Sequence, residues 1–280
     1  MSKRVSLHLR MESLPTEVVR RAVDLEVSFF QFFLRTQSGK YPYLNSREIK
    51  EFLSIRRTHF SEIFVHGSYW INLCATQITG YHSLEKELSL AKRLECTHLV
   101  LHPGSVRASK DRIYGIDCLA RSLNELLKRE NSIKILLENN AHGKWSIGSD
   151  LQDFKLLLEK MDHPEKIKFC LDTAHAYVYG YDLVLPGAQD LFLSTVNETI
   201  GIENIALIHL NDTNKELGCK IDEHGVIGSG NIGMDALEYL VQRKELVHVP
   251  IILELPIISQ EQEIGILNLV REWSNKGELK

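Results

Sequence analysis

The sequence predicts an α/β fold: a single (β/α)8 TIM barrel over residues 1–280, with a metal site at the C-terminal face of its strands. Three observations carry this reading. Short apolar runs alternate with segments of helical period along the whole chain, with no linker or low-complexity break. The runs are rich in Val, Ile, Leu and Phe on both faces, as in a parallel sheet covered by helices. Six of them stop on a polar ligand type: Phe64-Val65-His66, Leu99-Val100-Leu101-His102, Ile135-Leu136-Leu137-Glu138, Phe169-Cys170-Leu171-Asp172, Leu207-Ile208-His209 and Ile252-Leu253-Glu254. An open doubly wound sheet gathers ligands from the two strands beside a switch point. A barrel builds its site from the C-terminal ends of all its strands, so six such ends favour the barrel.

In order, strands are expected at 5–9, 28–34, 62–66, 98–102, 133–138, 167–172, 205–210 and 250–255. Pro15 opens a helix containing Val18, Val19, Ala22 and Val23, and Ser46 is positioned to cap the next, which runs towards Arg56. Leu84, Leu88 and Leu94 mark a helix over 84–95. Ile116, Leu119, Leu123, Leu126 and Leu127 share one side of another over 111–129. The remaining helices are expected at 150–161, 188–200, 235–243 and 260–274. Asp150 stands near the first of these N-termini, where negative charge suits the helix dipole.

Composition removes several classes of function. With 44% hydrophobic and 25% charged residues the chain reads as an ordinary globular protein, and its net charge of -4 provides no global basic field. Cys74, Cys96, Cys118, Cys170 and Cys219 are scattered and odd in number, without a C-x-x-C pair. That argues against a disulfide framework or a zinc ribbon and suits a reducing compartment. No apolar run approaches the ~20 residues that span a bilayer. The expectation is a soluble, cytoplasmic monomer with no membrane contact and no protein partner.

One histidine ending a strand is ordinarily a hydrogen-bonded structural residue. His66, His102, Glu138, Asp172, His209 and Glu254 together are different, because they occupy the same place in six β-α units. Three carboxylates converging on one barrel mouth repel each other unless cations join them. His175, three residues after Asp172, and the loop Asp222-Glu223-His224 extend the set to nine donors, five imidazoles and four carboxylates. Mixed N/O donors without thiolate favour zinc, with manganese or iron as alternatives. At three or four ligands per ion, nine donors with one bridging carboxylate suit three ions and a hydrolase.

Beyond these residues lie longer strings: His66-Gly67-Ser68-Tyr69, His102-Pro103-Gly104-Ser105, Leu137-Glu138-Asn139, Leu171-Asp172-Thr173-Ala174-His175-Ala176, Gly180-Tyr181-Asp182, His209-Leu210-Asn211-Asp212, Asp222-Glu223-His224 and Gly228-Ser229-Gly230-Asn231-Ile232-Gly233. In this order they resemble the endonuclease IV family of apurinic/apyrimidinic (AP) endonucleases over nearly the whole chain. The resemblance implies three zinc ions, with manganese as a substitute. One ion takes His66, His102 and bridging Glu138. A second shares Glu138 and adds Asp172, His209 and Glu254. A third takes His175, Asp222 and His224. It further implies duplex DNA with abasic sites as partner and Glu138, Glu254 and Asp172 as catalytic residues. The reaction it implies is hydrolysis 5′ to the abasic site in base-excision repair, leaving a 3′-hydroxyl and a 5′-deoxyribose phosphate.

Departures from the family's pattern fall on the DNA side. Arg10-Met11-Glu12-Ser13 replaces a small, Gly-containing segment. Thr36-Gln37-Ser38-Gly39-Lys40 stands where an Arg and an aromatic are usual, Trp70 where Leu is common, and Asn140, His142, Lys144 and Trp145 where small residues follow Glu138-Asn139. Candidate DNA contacts are Tyr69 and Trp70 as a wedge or stacking pair, and Arg35, Gln37 and Arg107 at phosphates, with Lys40, Lys110 and Arg112 nearby. Gly228 to Gly233 also fits G-x-G-x-x-G, but it follows a loop rather than a first strand, which argues against a dinucleotide site. His59, His82, His163 and His248 are expected to be solvated and His98 structural, while His8 is divided between packing and support of the site. The rival reading is a sugar isomerase or epimerase, which would use Glu138, Asp172, His209 and Glu254 for one divalent ion and leave His66, His102, Asp222 and His224 without metal.

Overall fold

Period-two alternation along each strand sends one set of side chains to the helices and the other into the barrel axis. The computed structural model describes residues 4–75, 78–106, 111–130, 132–143 and 145–278. Its elements follow the order β1 (Val5–Leu9), α1 (Pro15–Asp24), β2 (Gln31–Phe33), α2 (Ser46–His59), β3 (Phe64–His66), α3 (Ile78–Arg93), β4 (His98–Leu101), α4 (Arg112–Arg129) and β5 (Lys134–Glu138). The second half adds α5 (Gln152–Leu158), β6 (Ile167–Asp172), α6 (Thr173–Tyr179), α7 (Pro186–Thr199), β7 (Ile205–His209), α8 (Met234–Val241), β8 (Ile251–Leu253) and α9 (Gln260–Glu278). The eight strands form a closed parallel barrel in sequence order. Val5 pairing with Ile251 and Leu7 with Leu253 join the first strand to the last.

The outward set (Leu7, Phe32, Val65, Leu99, Leu137, Phe169, Ile208, Leu253) packs into the large core under the helices. Each such apolar side chain, fully buried, contributes about 1.5–3 kcal/mol. The inward set is a separate plug of Phe29, Phe64, Val100, Leu136, Cys170, Leu207 and Ile252. Two residues beyond six of these plug residues stand His66, His102, Glu138, Asp172, His209 and Glu254. One alternation therefore seals the barrel and aims every strand-borne candidate ligand at the same mouth.

Boundaries differ from expectation where local hydrogen bonding decides. Asn45, not Ser46, caps α2, because its side chain reaches the N–H groups of Arg47 and Glu48. Helix α3 begins at Ile78, earlier than the leucine pattern suggests. A short helix not expected from the sequence carries His175. Asp172 caps a helix, α6, by accepting from the His175 N–H at 2.7 Å, so His175 sits in its first turn. The sequence conceals α6 because it is only seven residues long and continues directly from a strand. His59, His82, His163 and His248 are exposed. His98 is buried and stacked on Phe64 at 4.3 Å, a structural place at the N-terminal end of β4. No helix among the described residues is long and apolar enough to cross a membrane.

Candidate metal centre

All nine expected donors meet at the C-terminal mouth. Glu138 is fully buried and faces two ways. Its Oε2 lies 2.8 Å from His66 Nε2 and 3.6 Å from His102 Nε2, and its Oε1 lies 3.0 Å from His209 Nδ1 and 3.4 Å from His175 Nδ1. Glu254 Oε2 is 3.4 Å from His209 Nδ1, and Asp172 Oδ2 is 3.9 Å from the same nitrogen. At the outer edge Asp222 Oδ1 lies 3.2 Å from His175 Nε2 and 3.7 Å from His224 Nε2.

These spacings fit shared cations. Two ligands about 2.1 Å from one tetrahedral zinc stand about 3.4 Å apart, too long for a good hydrogen bond. Several imidazole–carboxylate separations, from 3.2 to 3.9 Å, scatter around that value. His224 Nε2 is buried without a hydrogen-bond partner, 3.7 Å from both Asp172 Oδ2 and Asp222 Oδ1. Glu138, Asp172, His209 and Glu254 form one group able to hold an ion. Others are His66–Glu138–His209, His102–Glu138–His175 and Asp172–His175–His224. The last three cross the expected partition, because Glu138 and His175 each face two neighbours.

The donors are held from behind. His66 Nδ1 donates to Gly67 O, His175 Nδ1 to Asn139 O and His224 Nδ1 to Glu254 O, which turns the other nitrogen of each ring towards the carboxylates. His209 Nε2 meets Gln31 Oε1 instead. Asn139 and Asn211 also hold the carboxylate donors. Asn139 bonds both backbone groups of Asp172, and Asn211 donates to the carboxylates of Asp172 at 2.5 Å and Glu254 at 3.3 Å. His8 supports the site through Glu254 Oε1 at 2.9 Å. Sequence reasoning missed Gln31. The signal was available, since Gln31 follows the plug residue Phe29 by two, as each strand-borne ligand follows its own.

The carboxylates and imidazoles of the cavity shift one another's protonation. Burial would raise the Glu138 carboxyl, but His102, His209 and His66 hold it well below the ordinary range. Glu254 is likewise held low against burial by His209 and His8, and Asp222 is held at about 2 by His175. Burial prevails at Asp172 and raises it. His175 is raised well above the usual value against burial by Asp172 and Asp222, and His209 by Cys170, Glu254 and Glu138. Burial pushes His102 down to about 4, leaving a neutral donor. The Cys170 thiol is pushed up to about 12 by burial, so it provides no thiolate ligand.

The substrate side departs further from expectation. A cavity of about 190 Å³ over the donors, lined in part by Arg10, His66, His102 and His224, adjoins one of about 430 Å³ lined by Phe33, Gln37, Tyr69 and Trp70. Tyr69 and Trp70 are each 72% exposed, and the Tyr69 ring stacks on His102 at 5.6 Å. Gln37 is exposed at the second cavity. Arg35 lines the second cavity, and its guanidinium is already engaged within the chain. Its guanidinium bonds Glu87, Gly39 O and the Tyr41 hydroxyl, and lies 4.1 Å over the Tyr41 ring. Arg112 is paired with Asp153. Arg107, Lys110 and Lys144 lie outside the described residues. The glycine loop closes on the chain itself: the Gly228, Gly230 and Ile232 N–H groups donate to the buried Asp212 carboxylate. A Cβ at Gly230 would stand 2.4 Å from that carboxylate, which excludes both a larger residue there and a nucleotide phosphate in its place.

Fold and mouth together define a class. The xylose isomerase-like TIM barrel family matches residues 19–272. A Nitrosopumilus maritimus protein named probable endonuclease 4 is 31% identical over 278 residues, covering 96% of this chain and 99% of its own. The crystal structure of endonuclease IV from Thermus thermophilus superposes with a TM-score of 0.83 at 25% identity, over 98% of this chain and 99% of that one. A D-tagatose 3-epimerase-like protein shares the fold at 19% identity and a TM-score of 0.76, with 98% of each chain covered. The chain belongs to the endonuclease IV family within this barrel class.

Proposed function

We propose that the protein is a zinc-dependent AP endonuclease that hydrolyses duplex DNA 5′ to abasic sites, leaving a 3′-hydroxyl and a 5′-deoxyribose phosphate. The observation that carries this reading is the convergence of nine N/O donors on one cavity, with imidazole–carboxylate spacings that match shared cations. His66, His102 and Glu138 would hold one ion, Glu138, Asp172, His209 and Glu254 a second, and His175, Asp222 and His224 a third. Bound there, divalent ions supply Lewis acidity at the phosphate and lower the pKa of a water to about 7.

The chain's own residues provide the positioning. Glu138 presents one oxygen to each half of the site, as a bridging carboxylate must. Asp172 joins the halves, because its carboxylate lies beside His209 and also caps the helix that carries His175. Tyr69 and Trp70 offer exposed aromatic surface for stacking at the lesion, and Arg10 brings a cation to the rim of the metal cavity.

Elemental analysis combined with an abasic-oligonucleotide assay at low salt tests the proposal. About three zinc ions per chain and incision 5′ to the abasic site are expected. A fully metallated preparation that leaves abasic duplex uncut would sink it. The self-sufficient group Glu138–Asp172–His209–Glu254 supports the isomerase or epimerase as second reading; a single ion per chain with sugar turnover would favour it.

A further inference from the structure

Four of the five imidazoles at the centre rest one ring nitrogen on an acceptor behind them. For His66, His175 and His224 that acceptor is a main-chain carbonyl, set by the fold. For His209 it is a side chain, Gln31 Oε1 at 3.0 Å. The same amide reaches a second donor of the centre, since Gln31 Nε2 lies 2.9 Å from Glu254 Oε1. His8 Nδ1 also donates to Glu254 Oε1 at 2.9 Å, and so makes no hydrogen bond with the Gln31 NH2 group beside it. Gln31 is fully buried in β2, directly above the plug.

The orientation of this amide is determined by its neighbours. Turned over, it would bring its carbonyl oxygen against the Glu254 carboxylate, two acceptors in contact in a dry site. In the observed orientation Oε1 can only accept. The proton of a neutral His209 therefore sits on Nε2, and the Nδ1 lone pair points at Glu138, Glu254 and Asp172. The NH2 group holds Glu254 Oε1 back and leaves Oε2 facing His209 Nδ1 at 3.4 Å and Asn211 Nδ2 at 3.3 Å.

We infer that Gln31 is a positioning residue of the metal centre: one buried amide sets both the ligating nitrogen of His209 and the ligating oxygen of Glu254. Binding of the ion those two share depends on it, while the ions held through carbonyl-supported histidines do not. The inference rests on the metal-centre reading above.

The test is a zinc titration against a competing chelator on the full chain, comparing wild type with Gln31→Leu and Gln31→Glu. Glutamate keeps an acceptor for His209 but loses the donor to Glu254, and it serves as the informative variant should Gln31→Leu not fold. Loss of such a supporting contact lowers metal affinity about 10–100-fold. The expected result is that loss at one site per chain, with the remaining sites at wild-type affinity. In the zinc-loaded wild type, ¹H–¹⁵N correlation is expected to show a slowly exchanging Nε2–H on His209, and Gln31→Leu should abolish it. Equal weakening of every site, or no weakening, overturns the inference. A wild type that binds no zinc overturns the metal-centre reading itself, and is told apart from the former because it needs no variant.

Discussion

Replacing Asn139 by Ala removes both side-chain hydrogen bonds that tie the end of β5 to the end of β6. Asn139 Oδ1 accepts from Asp172 N at 2.7 Å, and Nδ2 donates to Asp172 O at 3.0 Å, both in the buried interior. A buried polar group left without its partner costs about 1–3 kcal/mol, and two are stranded here. Water entering the space left by the amide recovers part of this, so the expected destabilisation is about 3 kcal/mol. At about 2–3 °C per kcal/mol for a chain of this size, the melting temperature should fall by about 6–9 °C. Asp172 also caps α6 and thereby positions His175, so the loosened strand end should reduce metal content as well. Urea unfolding of chelator-treated protein gives the stability change free of bound metal, and elemental analysis after reloading gives the metal content. A loss under 1 kcal/mol with full metal content would refute the view that Asn139 holds the two strand ends in register.

Glu138→Ala should abolish incision and lower the zinc content while circular dichroism stays close to wild type; wild-type incision rates would refute the bridging role. Zinc uptake near pH 7 should release protons, because Asp172 and Asp222 hold His175 well above its usual value against burial; affinity then falls as pH falls, and calorimetry in buffers of different ionisation enthalpy checks it. His98 is held down at about 4 by burial, with a smaller contribution from Lys134. Below pH 6.5 the unfolded chain takes a proton that native His98 refuses, so stability falls with pH between about 6.5 and 4. His98→Gln should remove about 2 kcal/mol of that loss between pH 7 and 5, and a wild-type–variant difference that stays constant with pH would contradict it. Arg35→Ala should cost about 3 kcal/mol by leaving the buried Glu87 without its cation, held only by the Ser68 N–H and the Tyr41 hydroxyl, with no change in the salt dependence of DNA binding; Arg10→Ala should lower that slope by about 0.9, the value for one phosphate contact.

Much of the molecule was legible in the chain because its regularities are local. Apolar runs covered on both faces required a parallel sheet, and polar residues ending six of them required one mouth. Period-two geometry links those facts, since a ligand two residues past a plug residue must point the same way. Tertiary structure was needed wherever a group's role depends on a partner far along the chain. Arg35 has a DNA-contact profile in sequence, yet Glu87, fifty-two residues away, occupies it. The glycines from 228 to 233 look like a phosphate loop, yet Asp212 fills the place of the phosphate. Gln31 reads as one more strand residue until closure of the barrel brings His209 and Glu254 to its amide. Alternation specifies the direction in which a side chain points, which the sequence carries by itself. What it meets there is decided by the closing of eight strands around one axis, and that decided which donors share a carboxylate and which nitrogen each imidazole presents.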